Sequence, residues 1–230
     1  MRIGFVAALN DEARTLDVAG RNHTSSAARI VKTSGPGPLN ATNAAEFLID
    51  ENVGALVSWG TCGALDVGLQ PGAVIIYESI VREDGTRYTC DAPWNDRLRR
   101  ELASLKPYCL RGYCAPTAIA TKSEKKHIAE QTDCSVVDME SAAVAACANA
   151  AQLPFVTLRV VVDPAMFDIP RAALSALSDG GQPRTMPVIK SLLRRPQELP
   201  ALLKLARWYK GSLDMLRLCA LALEPRFGTE

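Results

Sequence analysis

The sequence predicts an α/β fold: a single domain built on a central mixed, mostly parallel sheet flanked by helices. Two observations carry this. Apolar runs of strand length alternate along the chain with longer segments of helical period, and several runs are almost wholly apolar, Ala55-Leu56-Val57 and Val160-Val161-Val162 among them. A strand apolar on both faces has to be covered on both, which helices packed on a largely parallel sheet provide. The 230 residues, 48% of them hydrophobic, suffice for one buried core, and neither a linker nor an internal repeat divides them, so residues 1–230 form one domain.

In chain order, strands are expected over Ile3–Leu9, Arg29–Thr33, Ala55–Ser58, Ala73–Ser79, Cys114–Ala120, Ser135–Val137 and Phe155–Val162. Helices are expected over Leu39–Glu51, Asn95–Ser104, Ser123–Gln131, Met139–Ala151, Met186–Leu193 and, longest, Leu199–Leu223. In the last of these, residues 199–223, Leu202, Ala206, Tyr209, Leu213, Leu216, Ala220 and Leu223 recur at three- and four-residue steps. Lys204, Arg207, Gly211, Asp214 and Arg217 take much of the other side, which makes the helix amphipathic. It serves either as a final helix packed on the sheet or, being basic, as a peripheral contact with an anionic membrane.

Composition removes several function classes. With 26 basic and 25 acidic side chains there is no basic excess for nucleic acid. Seven cysteines, scattered through apolar segments as Cys62, Cys134 and Cys147 are, read as reduced thiols of a cytoplasmic protein. Cys109 and Cys114 have no second Cys/His pair at metal spacing, so no metal site is expected. The N-terminus lacks the basic region and cleavage site of a signal peptide, and no apolar run reaches the roughly 18–20 residues that span a bilayer.

Five local patterns carry the chemistry. Ser34-Gly35-Pro36-Gly37-Pro38-Leu39-Asn40 follows a strand and opens a helix, where Gly35 and Gly37 let backbone N–H groups approach a polar ligand, or simply make a tight turn. Asn40 stands where a dinucleotide fingerprint has its third glycine, and no acid follows at the right distance, which argues against a reductase. Ser58-Trp59-Gly60-Thr61-Cys62-Gly63 reads as a turn after a buried strand, with Thr61 and Gly63 on the floor of a ligand site. In Val137-Asp138-Met139-Glu140-Ser141, Asp138 suits an N-cap and Glu140 the first helical turn. Alternatively Glu140 accepts hydrogen bonds from vicinal sugar hydroxyls, with Met139 as an adaptable apolar surface. Asp163, at the carboxyl end of an apolar strand and stopped by Pro164, suits a desolvated proton donor. Asn10-Asp11-Glu12 suits a helix start or a second carboxylate that activates water. Two histidines and the absence of a G-x-S-x-G elbow argue against Ser/His or Cys/His catalysis.

In this order the patterns resemble the purine nucleoside phosphorylase and methylthioadenosine/adenosylhomocysteine nucleosidase superfamily, over roughly Met1 to Pro164. The resemblance implies cleavage of a purine N-glycosidic bond, with Glu12 activating water, Met139 and Glu140 holding the ribose, and Asp163 protonating the purine at N7. It implies no cofactor, unless phosphate is co-substrate of a phosphorylase. It also implies a homo-oligomer acting on a small nucleoside. A carboxylate at Glu12 would repel phosphate, which favours hydrolysis. The chain resembles in particular the hopanoid-associated phosphorylase-like proteins, adenosylhopane nucleosidases, through Ser58–Leu65, Gly35-Pro36-Gly37-Pro38 with Asn40-Ala41, Arg159–Ala165 and Ser191–Leu203. Methylthioadenosine, adenosylhomocysteine or futalosine hydrolysis, phosphorolysis, and a nucleoside-binding sensor without turnover are the alternatives. One departure stands out: the methylthioadenosine enzymes carry serine just before the catalytic aspartate, and here Val162 does. The Thr117–Lys122 region, expected at the lid of the base pocket, offers no aromatic ring.

Overall fold

The computed structural model describes residues 2–17, 29–174, 194–224 and 227. Among these, eight strands form one sheet: β1 (Ile3–Ala7), β2 (Arg29–Thr33), β3 (Ala55–Ala64), β4 (Val74–Arg82), β5 (Arg87–Thr89), β6 (Tyr108–Cys114), β7 (Val136–Asp138) and β8 (Phe155–Asp163). β1 runs parallel to β2 and β3, β3 to β8, β4 to β6 and β6 to β7, whereas β3–β7, β4–β5 and β4–β8 are antiparallel. The sheet is thus mixed and mostly parallel. β8 lies between β3 and β4, and all nine of its residues are buried.

The helices are α1 (Asn10–Asp17), α2 (Pro38–Asp50), α3 (Ala92–Glu101), α4 (Lys122–Thr132), α5 (Ser141–Ala150), the short α6 (Arg171–Leu174) and α7 (Leu199–Ala222). Alternation along the strands divides the core in two. Val6 and Leu56 face α2 and α5, meeting Leu48 and Ala145, while Phe5, Val57 and Trp59 face α1, α3 and α7, meeting Leu16, Trp94 and Leu216. Side chains tie this second layer down: Trp59 Nε1 donates to Thr15 Oγ1 at 2.9 Å, and Ser212 Oγ on α7 donates to the Val161 carbonyl at 2.7 Å.

Several boundaries differ from the sequence expectation for physical reasons. Residues 60–63 make no turn. β3 continues through them because β8 pairs along one side and β7 along the other, with a register shift between Cys62 and Gly63. The strand expected at Cys114–Ala120 lies earlier, at Tyr108–Cys114. Pro116 cannot donate to a ladder, and Thr117, Ala118 and Ile119 line a cavity instead. Helix α3 starts at Ala92 rather than Asn95, since Asp91 accepts the Trp94 N–H at 2.8 Å. Helix α5 starts at Ser141 rather than Met139, because the Asp138 carboxylate takes the N–H groups of Glu140 and Ser141. Helix α1 begins at Asn10, where the acids after β1 suit a helix start, whereas the β5 hairpin strand and the short α6 have no counterpart in the sequence expectation. The helix expected at Met186–Leu193 lies outside the described residues. Helix α7 matches its expected span, yet Ala206 is exposed and the buried stripe runs through Ser212, Leu216, Cys219, Ala220 and Leu223. Among the described residues no helix is long and apolar enough to cross a membrane.

One close approach fixes β6 against β4. A Cβ on Gly112 would lie 2.0 Å from the Tyr77 ring, which is itself fully buried. We expect Gly112→Ala to cost about 3 kcal/mol through overpacking, read as a lowered denaturation midpoint with the slope unchanged; an unaltered midpoint would contradict this packing.

Candidate active site

The carboxyl ends of β1, β3, β7 and β8 open onto a cavity of about 210 Å³, as expected for ligand sites in α/β sheets. One wall consists of Ala8, Leu9 and Glu12 from the β1–α1 corner, with Pro36 beside them. The floor is Thr61 and Gly63 of β3 with Val137, Asp138, Met139 and Glu140 of β7 and the turn after it. The far wall is Thr117, Ala118 and Ile119, with Asp163 and Ile169. These two loops are clamped together: Ile169 donates its N–H to the Ala120 carbonyl at 2.7 Å, and Lys122 its N–H to Asp168 at 2.7 Å. Of the residues singled out in the sequence, Glu12, Thr61, Gly63, Asp138, Met139, Glu140 and Asp163 converge on this cavity. Gly35 does not line it; its N–H is donated to the Ala8 carbonyl at 3.0 Å, and the adjacent Pro36 faces the space.

Glu12 is buried and held at both carboxyl oxygens. Oε1 accepts from the Thr61 N–H at 2.8 Å and the Thr61 hydroxyl at 2.7 Å, and Oε2 accepts from the Leu9 N–H at 3.1 Å. Burial pushes its pKa above the ordinary value, against the opposing pull of Arg159 and of these hydrogen bonds. Glycine at position 60 makes the arrangement possible, since a Cβ there would lie 2.8 Å from both the Glu12 carboxyl and Arg159 Nη1.

Arg159 on β8, 1% exposed, stands beneath the floor. Its Nε donates to Asp138 Oδ2 at 3.2 Å and its Nη2 to the Ser58 hydroxyl at 2.8 Å, with Glu140 Oε2 at 4.0 Å. The other Asp138 oxygen accepts from the Glu140 N–H at 3.1 Å, the Ser141 N–H at 3.0 Å and the Ser141 hydroxyl at 2.8 Å. Burial would raise the Asp138 pKa, but Arg159 and Ser141 outweigh it and hold the carboxyl below its usual range. Asp138 therefore borders the cavity with both oxygens already engaged by the protein.

Glu140 is different. Oε1 accepts the Gly37 N–H at 2.8 Å, and Oε2 has only the distant Arg159. Burial pushes its pKa up to about 7, against Arg159, with Asp138 adding to the rise. Asp163 is also pushed up by burial and pulled back by a fully buried cation, Lys125 of α4.

Lys125 and the anchoring role of Arg159 are the two features missed in the sequence. A signal for Lys125 exists there. The Thr121–Glu124 capping box starts α4, which sets Lys125 on the inward face together with Ile128 and Ala129, whereas its neighbours Glu124 and Lys126 are exposed. Among the described residues no group of three or more His, Cys, Asp or Glu side chains could hold a metal ion.

The model of the phosphorylase superfamily matches residues 20–183. The structure is similar to the futalosine hydrolase of Helicobacter pylori, with 14% identity, a TM-score of 0.73 and 97% of each chain covered. It is similar to the 5′-methylthioadenosine/S-adenosylhomocysteine nucleosidase of Neisseria meningitidis in complex with methylthio-immucillin-A, with 17% identity, a TM-score of 0.72, and 97% of this chain and 98% of that chain covered. It is similar also to the S-adenosylhomocysteine nucleosidase of Streptococcus pyogenes in complex with 5-methylthiotubericidin, with 18% identity, a TM-score of 0.69 and 98% of each chain covered. No curated protein matches the sequence.

Two outcomes test the electrostatics. Arg159→Met strands the buried Asp138 carboxylate without its cation and is expected to cost about 3–5 kcal/mol in chemical denaturation; a loss below about 1 kcal/mol would contradict the anchoring role. Between the ordinary carboxyl pKa near 4.5 and the Glu140 value of about 7, the folded form keeps a proton that the unfolded chain has released. Stability therefore falls as pH rises through that window, by on the order of 2–3 kcal/mol. Glu140→Gln should flatten this decline in Tm between pH 5 and 8, and an equally steep decline in the variant would refute the assignment.

Proposed function

The chain belongs to the phosphorylase superfamily, and from that premise we propose that it hydrolyses the N-glycosidic bond of a purine nucleoside, releasing adenine from a 5′-substituted adenosine. The observation that carries this reading is the charge of the cavity lining. Among the described residues its ionisable side chains are Glu12, Asp138, Glu140 and Asp163, all acids, while the two buried cations, Arg159 and Lys125, do not line it and are already paired. Among the described residues a phosphate dianion would meet carboxylates and no free cation, so water is the better nucleophile.

The chemistry divides between two of these carboxyls. Asp163 gives a proton to purine N7 as the C1′–N9 bond breaks and its electron pair passes to the base. Glu12 takes a proton from the attacking water, whose oxygen bonds to C1′. A carboxyl raised by burial suits the donor, and one held by three donors from Thr61 and Leu9 is fixed for the acceptor. Glu140, with Oε2 lacking a close partner, accepts from the ribose hydroxyls above Met139. Among the described residues no aromatic ring lines the cavity; Val137, Ile119 and Ile169 offer aliphatic surface to the base instead.

For the 5′ group, the Ala8–Leu9–Pro36 side of the cavity carries, among the described residues, no charge beyond Glu12, which favours an apolar substituent such as that of adenosylhopane over an amino-acid tail. Exposed Leu199 and Leu203 beside the exposed Lys204 and Arg207 of α7 give a surface for an anionic membrane. A homo-oligomer in the cytoplasm completes the reading.

The test is chromatographic detection of free base from adenosine, futalosine, 5′-methylthioadenosine and 5′-alkylthioadenosines of increasing chain length, with and without phosphate. We expect adenine and a free ribose product irrespective of phosphate, with rates rising with chain length. Asp163→Asn and Glu12→Gln should each lose about 10²–10⁴-fold in kcat. Ribose 1-phosphate formed only when phosphate is present would overturn hydrolysis, and tight binding without turnover by the unaltered protein would point to a sensor.

A further inference from the structure

A proton donor buried at the end of a strand needs a fixed direction and a counterweight for the charge it acquires. In this chain Val162 precedes Asp163, so no neighbouring hydroxyl supplies either. The ammonium of Lys125 is the group that meets Asp163 instead. It forms an ion pair with Asp163 Oδ2, and donates to the Pro164 carbonyl at 3.0 Å and the Phe167 carbonyl at 3.1 Å. An ammonium has three N–H bonds, and these three acceptors use all of them. The side chain is 0% exposed, and among the described residues no other side chain donates to Asp163.

Resting on the reading of Asp163 as the acid, we propose that Lys125 is the positioning residue for proton transfer to the leaving base: it aims the Asp163 carboxyl into the cavity, locks the 164–167 loop to it, and neutralises the carboxylate formed as the proton departs. The argument is one of geometry and charge. A carboxyl in an apolar setting holds its proton because the anion is poorly solvated. A cation at hydrogen-bond distance stabilises the anion that appears as the C1′–N9 bond breaks, and in a water-poor site that interaction is large. Oδ2 is taken by Lys125, which leaves Oδ1 to carry the transferable proton. Lone burial of either group would be costly, so each is the condition for the other.

Other charges near the pair are accounted for. From β3, Cys62 is kept as a thiol by burial. From β7 and its turn, Asp138 is paired with Arg159 and Glu140 is held by the Gly37 N–H, and from α1 Glu12 is bonded to Thr61 and Leu9. On α4 itself, Glu124 caps at Thr121, and Lys122 pairs with Asp168 at the surface. Lys125 is the cation in contact with Asp163.

The test compares two leaving groups. The unaltered protein, Asp163→Asn, Lys125→Met, Lys125→Gln and Lys125→Arg are assayed on 5′-methylthioadenosine, on 5′-decylthioadenosine and on 4-nitrophenyl β-D-ribofuranoside, whose phenolate departs without a proton. On the better adenosine, Lys125→Met and Asp163→Asn should each lose about 10²–10³-fold in kcat, with KM changed less than about threefold, while the aryl riboside loses less than about tenfold. The alkaline limb of kcat/KM, where Asp163 gives up its proton, should move up by about one pH unit or more in Lys125→Met, because the cation that favours the carboxylate is gone; Lys125→Arg should restore it. If Lys125→Met does not fold, Lys125→Gln, which keeps donors for the two carbonyls but no charge, carries the same comparison. Equal losses on both leaving groups with an unmoved limb would overturn the inference alone. Failure of the unaltered protein to release adenine from either nucleoside would overturn the reaction and the inference with it.

Discussion

The site depends on one buried guanidinium. Arg159 comes from the middle of β8, the strand flanked on both sides by the sheet, and it is covered by the very residues that line the cavity above it. A cation in that position is tolerable only if anions and dipoles surround it. Asp138 and the Ser58 hydroxyl meet it directly, and Glu140 and Glu12 lie within its field. In turn Asp138 sets where α5 begins, and α5 begins where Glu140 must stand. The floor of the cavity, the start of a helix and the placement of an acceptor are consequences of the same charge.

The charge balance explains why the acids behave so differently. Four buried carboxyls face two buried cations. Asp138 takes most of what Arg159 offers and is held below its usual pKa, whereas Glu12, Glu140 and Asp163 are all pushed upward by burial. A site with more carboxyls than cations must keep protons on some of them near neutrality. That shortage sets Asp138 apart from the other three, while Glu12 and Asp163 are told apart by their partners, the Thr61 and Leu9 donors on one and Lys125 on the other.

Much of the fold was legible because its signals are local. β2 was delimited correctly by its apolar run between polar flanks, and α7 by its periodicity. Errors fell where a tertiary partner overrules local pattern. Gly60 and Gly63 look like turn residues, but they are glycines because Arg159, Glu12 and Asp163 crowd the space a Cβ would fill. The apolar stretch after Cys114 looks like a strand, but it is apolar because it walls a cavity. In the site, carboxyls at strand ends could be picked out one by one. Their division of labour could not, since Asp138 and Glu140 differ only in which partners the fold brings to them.

Lys125 carries the same lesson further. In a strand-end acid, orientation can come from the preceding residue, and a reader of the sequence looks there and finds valine. The structure supplies the equivalent interaction from a helix 38 residues earlier in the chain, through a side chain that sequence alone would place among the solvated lysines of α4. A hydroxyl and an ammonium are not equal substitutes. A hydroxyl donates one hydrogen bond and leaves the acid's charge to the surroundings, whereas an ammonium donates three and brings a full compensating charge. With an ammonium in that position, the donor gains strength as an acid without giving up burial, and the loop beyond Pro164 becomes part of the same hydrogen-bonded unit. The aim of the proton is therefore set by the same side chain that fixes the 164–167 segment, and neither can be placed independently of the other.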